Sequence, residues 1–276
     1  MFLGRIVMNA KNGTSKKGGK KMFKIILGVL AALLLIAIIS ISSIANTNVK
    51  AMNSTVDSVL AALNENYTVT PVDVGDYKEM KIYGIMKFDV EQYDIKELGN
   101  LSIMRMNMGL MQMATVVITP QDKNMPLLSA DYMYILPNRK AYLEFYDVVK
   151  EKDAAYNQLL DALKSVKANY THLEDIETSE AWYADLLTVT SYKGGKADAD
   201  KDLENLLVDS LHEYMKHAKE LPLLTEAEKA EKLAITVAYT DGLIEKGGIS
   251  TDVFKKELGD EETKRFFDNI FFGTAK

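Results

Sequence analysis

One run of 21 residues without a charge, Ile25 to Ala45 (IILGVLAALLLIAIISISSIA), constrains this chain more than any other feature. As a helix rising about 1.5 Å per residue, it spans a hydrocarbon core about 30 Å thick. A helix from a soluble core carries polar residues along one face, whereas this run has only scattered serines. The run therefore predicts a transmembrane helix over 25–45. A cleaved secretory signal is the other reading, because Ser43-Ile44-Ala45 supplies small residues at the end of the run. Seven basic residues and no acidic ones precede it: Arg5, Lys11, Lys16, Lys17, Lys20, Lys21 and Lys24. The positive-inside rule then predicts a basic, disordered cytoplasmic tail over 1–24 and an extracytoplasmic domain. A short polar linker is expected over 46–53, with the domain following over 54–276.

That domain has the opposite sign. Seven of the 33 basic residues lie in the tail, which leaves 26 against 39 acidic residues, a net charge of −13. Such a balance argues against nucleic acid, which rewards positive charge. A domain of this length can bury one substantial core. With no cysteine in the chain, disulfides, thiolate-bound zinc and iron–sulfur clusters are excluded, and an exported domain without disulfides fits a bacterial cell surface. No glycine-rich phosphate loop, nucleophile elbow or zinc-binding histidine pair is present. His212 and His217 are five apart, which on a helix turns them to different faces, and they read as solvated residues.

A helix capped by Ser54 is expected over 54–63. The chain from Met80 to Val149 changes character. Lys81 to Phe88, Leu101 to Met108, Gln112 to Thr119, Leu127 to Leu136 and Lys140 to Val148 are short segments rich in β-branched, aromatic and methionine residues. Turn residues at Leu98-Gly99-Asn100, Pro120 to Asn124 and Pro137-Asn138 separate them. Hairpin-sized gaps predict an antiparallel sheet. Beyond Asp147 the apolar spacing becomes helical, over Ala154 to Ala168, Asp202 to Lys219, a helix opened by the capping box Thr225 to Glu228, and Asp260 to Phe272. The fold class expected is α/β, an α/β/α sandwich around a central antiparallel sheet, after one N-terminal transmembrane helix.

Asp131 is the residue out of place. It lies inside the apolar strand Pro126-Leu-Leu-Ser-Ala-Asp-Tyr-Met-Tyr-Ile135, either on an exposed edge face or in a pocket that raises its pKa and makes it a proton donor. Arg139-Lys140, ahead of the next strand, is either a binding place for an anionic group or a turn with solvated charges.

Five stretches follow one another in order: Val116-Val-Ile-Thr-Pro120, Pro126-Leu-Leu-Ser-Ala-Asp131, Tyr142-Leu-Glu-Phe-Tyr-Asp147, Ala181-Trp-Tyr-Ala-Asp-Leu-Leu187, and Val253 to Gly259 with Phe266 to Gly273. Taken together, they resemble the ferredoxin-dependent bilin reductases and the related red chlorophyll catabolite reductases. The resemblance runs from about Tyr77 to Gly273. It implies an open-chain, biliverdin-like tetrapyrrole held between the sheet and the C-terminal helices. It also implies reduction by proton-coupled electron transfer from a ferredoxin-type donor, without a protein-bound cofactor. Asp131 falls on the family's proton-donating aspartate. With such a ligand Arg105 or Lys87, as cations on the sheet, would grip a propionate; the other reading of both is exposed strand charges. The chain departs from the pattern at two positions. The region of the family's upstream histidine reads Gln112-Met-Ala-Thr115, and the C-terminal Asn or Asp is replaced by Gly247-Gly248. A non-catalytic tetrapyrrole-binding domain and a partner-binding domain are the alternatives; Met104, Met106, Met108, Met111 and Met113 would line the pocket of the first, or else form a methionine-rich core face.

Overall fold

The computed structural model describes residues 16–178 and 181–275. The chain divides into two compact units, Met1–Ser43 and Ile44–Lys276. The first helix, α1 (Lys16–Asn64), is continuous over 49 residues and contributes to both. Its stretch from Leu33 is, among the described residues, the one helix long and apolar enough to cross a membrane. Leu33, Leu34, Leu35, Ile36, Ile38, Ile39 and Ile41 are all exposed, so no protein core claims them. The first residues of the basic tail lie outside the described residues, and the rest, from Lys16, is helical rather than disordered.

Two expectations about α1 are corrected. Residues 46–53 are not a linker, and Ser54 is not a cap, because the helix passes through both. Asn48, Met52, Thr55, Val56 and Val59 are buried within the second unit. Their packing overrides the weak helix preference of Asn46-Thr-Asn. The Ser54 hydroxyl instead donates to Glu204 at 2.7 Å, with Ser58 doing the same at 2.9 Å.

The second unit is built on a nine-stranded antiparallel sheet. Its strands are β1 (Val69–Val72), β2 (Glu79–Ile82), β3 (Met86–Ile95), β4 (Gly99–Asn107), β5 (Met111–Pro120), β6 (Leu127–Ile135), β7 (Asn138–Tyr146), β8 (Glu174–Asp175) and β9 (Leu187–Lys196). The order across the sheet is β1-β3-β4-β5-β6-β7-β9-β8, with β2 also paired to β3. The expected strand over Lys81 to Phe88 is a hairpin, because Tyr83 and Gly84 both take positive φ and turn the chain between β2 and β3.

Helices cover both faces, as the sequence pattern predicts. The end of α1 packs with α2 (Ala154–Ala168) and α3 (Asp200–Glu220) on one face around Leu101, Ile103, Val116, Leu128, Tyr132, Leu143 and Phe145. On the other face α4 (Glu226–Lys246), α5 (Ile249–Leu258) and α6 (Asp260–Phe266) pack around Phe88, Val90, Met104, Met106, Tyr146 and a cluster of C-terminal phenylalanines. The capping box at Thr225 and Glu228 opens α4 as expected. Lys232 docks that helix. Its fully buried ammonium donates to the carbonyls of Met125 and Val148, each at 2.8 Å, and burial pulls its pKa down to about 7.

Candidate functional site

Alternation along the strands sorts side chains into two sets. On β6, Leu128, Ala130, Tyr132 and Tyr134 face α1–α3 and are buried, whereas Ser129, Asp131, Met133 and Ile135 face the other way and are half-buried. β7 and β9 repeat the pattern. Ala141, Leu143, Val189 and Ser191 are buried, while Tyr142, Glu144, Thr190 and Tyr192 remain partly open. The helices α4–α6 bury this second face over β3 and β4, where Phe88, Val90, Ser102, Met104 and Met106 are covered. Past β5 the cover thins and leaves a strip of half-buried polar, aromatic and thioether groups in the middle of the sheet.

Asp131 sits at the centre of this strip. One cross-strand row reads Met104, Thr115, Asp131, Tyr142, Tyr192 from β4 to β9. The neighbouring row reads Met106, Met113, Met133, Lys140. On the other side lie Ser102, Val117, Ser129 and Glu144. The Asp131 side chain is neither in bulk solvent nor sealed by packing. Thr115 donates its hydroxyl to Oδ1 at 2.5 Å. Part of the residue reaches solvent, yet burial of the carboxyl group is the leading influence and raises its pKa to about 6. The Glu144 charge pushes in the same direction, and the Thr115 hydroxyl in the opposite one.

Around this carboxyl is a set of tyrosines that the sequence reading did not single out. Glu144 accepts the hydroxyls of Tyr146 at 2.5 Å and Tyr192 at 2.7 Å. Burial, and then Glu144, holds the Tyr192 hydroxyl well above its ordinary pKa, so it stays a donor. Tyr146 packs against Tyr239 of α4 at 5.0 Å and Tyr183 at 5.7 Å between ring centres. Trp182, which is 37% exposed, leans on Tyr183 and Tyr239, donates Nε1–H to the Gly247 carbonyl at 2.9 Å, and lies under the Lys246 ammonium. Only glycine fits beneath it. A Cβ on Gly242 would stand 2.4 Å from the Trp182 ring. The alternation Ala141-Tyr-Leu-Glu-Phe-Tyr146 already put Tyr142, Glu144 and Tyr146 on one face. What it lacked was the register that makes this the Asp131 face.

The same register corrects the two expected cations. Arg105 pairs across β3–β4 with Asp89, and Lys87 with Asn107, which puts both on the face opposite Asp131. Arg105 is already ion-paired to Glu91, and Lys87 is exposed. Neither reaches a ligand lying on Asp131. Lys140 does share the Asp131 face, opposite Met133; it is exposed and without an ion pair among the described residues. Its neighbour Arg139 turns to the closed face, where it is buried and ion-paired to Asp200. Of the expected methionines, Met104 and Met106 are covered by helices, while Met108, Met111 and Met113 are partly open. A cavity of about 370 Å³ lies away from Asp131, between the end of β5, the first turns of α4 and the C-terminal residues Gly273 and Thr274.

No family model matches the chain. The 15,16-dihydrobiliverdin:ferredoxin oxidoreductase of Prochlorococcus marinus (strain MIT 9215) is 24% identical over 165 residues, which cover 57% of this chain and 68% of that protein. Phytochromobilin synthase from tomato, whose crystal structure is in complex with biliverdin, superposes with a TM-score of 0.62 over 79% of this chain and 82% of its own, at 13% identity. The fold is that of the ferredoxin-dependent bilin reductases. In this bilin-reductase-like domain, the strand position paired with Asp131 is Thr115. The Gly247-Gly248 pair forms the junction between α4 and α5, with Gly247 at a φ of 83°.

Proposed function

We propose that the protein is a membrane-anchored, bilin-reductase-like oxidoreductase whose open strip binds an open-chain tetrapyrrole and whose Asp131 supplies a proton to it. One observation carries this reading. A carboxyl group pushed up to about 6 sits at the centre of a half-buried strip on the part of the sheet face that the helices over β3 and β4 leave open, in a fold shared with a biliverdin-bound protein. Perturbed acids in open sites are candidates for proton transfer. In the overall step, two electrons from a one-electron carrier of the ferredoxin class and two protons add across one carbon–carbon double bond. Asp131 gives one of those protons and regains it from solvent.

The strip suits a flat conjugated ligand. Thioethers of Met113 and Met133 offer a polarisable, adaptable floor, and Tyr142, Tyr183 and Tyr192 supply aromatic faces and hydroxyls. Lys140 is the cation within reach of an anionic side group, in place of Arg105 and Lys87. Purified protein should bind biliverdin with a shifted absorption band and, with reduced ferredoxin, form a reduced bilin. Asp131→Asn should keep the band and lose turnover at least 100-fold. Undiminished turnover in that variant would remove the proton-donor role.

A binding module without turnover is the second reading. It is favoured by the presence of one, rather than three, of the proton-handling positions of the bilin reductase pattern. Binding without product under reducing conditions selects it. The apolar stretch of α1 is the anchor in either case, with the N-terminus in the cytoplasm and the domain outside. Protease protection on intact cells tests that topology, since an outer domain is cleaved. A domain on that side takes its electrons from a carrier other than the cytoplasmic ferredoxin pool.

A further inference from the structure

Three side chains of β7 face Asp131. Tyr142 stands directly opposite, and Lys140 and Glu144 lie diagonally to either side. Diagonal cross-strand neighbours are about 7–8 Å apart at the backbone, close enough for charges to be felt. From β5 the group in contact is Thr115. Tyr183 and Tyr239 approach from the helical side. The two diagonal charges have opposite signs, so they compete. Lys140 is exposed, and water screens it. Glu144 is half-buried and pinned by two tyrosine hydroxyls from two strands. A fixed, partly desolvated charge acts more strongly than a mobile, solvated one.

We propose that Glu144 is the positioning residue that keeps the proton on Asp131, with Tyr146 and Tyr192 holding its carboxylate in place. The proposal rests on the reading of Asp131 as an acid, and it assigns to Glu144 a task for which neither the sequence pattern nor the comparisons name a residue. A like charge beside a carboxyl favours its neutral form. The influence of Glu144 on Asp131 has that sign, adds to the larger one of burial, and opposes the Thr115 hydrogen bond. At a pH where an isolated aspartate would be fully ionised, the site therefore retains a usable fraction of the acid.

The test uses the full-length protein in detergent and no ligand. Protonation of Asp131 is followed against pH by the infrared carbonyl band of its acid form, taken as the difference from Asp131→Asn. The midpoint should lie near pH 6. Glu144→Gln should lower it by roughly one pH unit, and Tyr146→Phe with Tyr192→Phe should lower it less. Lys140→Met should leave it nearly unchanged. Glu144→Asp should restore most of the wild-type value, and equal melting temperatures of wild type and Glu144→Gln exclude general damage. An unchanged midpoint in Glu144→Gln, or no titrating band in wild type, overturns the proposal. The measurement needs no turnover, so it is separable from the functional reading. If Glu144→Gln shifts the midpoint while Asp131→Asn still turns over bilin, the inference stands and the enzymatic role of Asp131 falls.

Discussion

Along β6 and β7 each residue points away from its neighbours in the chain, and the two faces so formed have different environments. On the α1–α3 side, Leu128, Ala130, Tyr132, Leu143 and Phe145 are at most 2% exposed. Charges on that side are spent on structure, with Arg139 paired to Asp200 and Glu204 gathering Ser54, Ser58 and Lys201. On the α4–α6 side the same strands present Asp131, Met133, Tyr142, Glu144 and Tyr192 only half-buried. Closed packing gives the strands their register, and the register delivers an acid, its like-charged neighbour and a set of hydroxyls to the open side. The open side leaves a costly acid half-covered, while its reverse is packed; it is on this side that the proposed ligand lies.

The comparison can be broken at several points. The largest effect belongs to the closed face. Leu143→Ala should destabilise the domain by about 3 kcal/mol, whereas Met133→Ala, ten residues away on the open face, should cost about 1 kcal/mol or less. Equal losses in chemical denaturation would mean that the open strip is as tightly packed as its reverse.

Asp131→Asn comes next, with the opposite sign. A carboxyl whose folded pKa is raised burdens the fold once pH exceeds its unfolded value near 4, and fully so above about 6. The variant should therefore be more stable than wild type by about 3 kcal/mol at pH 8 and indistinguishable from it at pH 3.5. A gain that does not depend on pH would contradict the buried-acid account.

Gly242→Ala should have a smaller effect, of about 1–2 kcal/mol. Its methyl group would displace the Trp182 ring, and since Trp182 is the chain's only tryptophan, its emission should shift to the red. The smallest effects are expected from Arg105→Ala and Lys87→Ala, each within about 0.5–1 kcal/mol and without influence on bilin affinity. Lys140→Ala should weaken the binding of biliverdin but not of its dimethyl ester.

Much of this was legible in the sequence because it depends on local rules. The helical spacing of α2 and α3, the capping box of α4 and the hairpin spacing of β4 to β7 all declare themselves within a few residues. Asp131 also stood out, as a charge in an apolar strand. What failed depends on distant partners. β9 was missed because Gly194, Gly195 and two lysines weaken its strand signature, and pairing with β7 is what makes it a strand. The break expected after Ala45 is absent because the sheet face buries α1 from Asn48 onward. Alternation in β3 and β4 reveals two faces without telling which one a neighbouring strand shares, so it does not put Arg105 and Lys87 on the face away from Asp131. One step of register separates a propionate-binding cation from a surface ion pair.

Whether the open strip around Asp131 holds an open-chain tetrapyrrole is tested by absorption spectroscopy, titrating biliverdin into full-length protein and into Met133→Trp, a variant that fills the strip while leaving the closed face intact. A saturable band shift in wild type that is lost in the folded Met133→Trp variant is the predicted result. No shift in wild type, or the same shift in both, would contradict it.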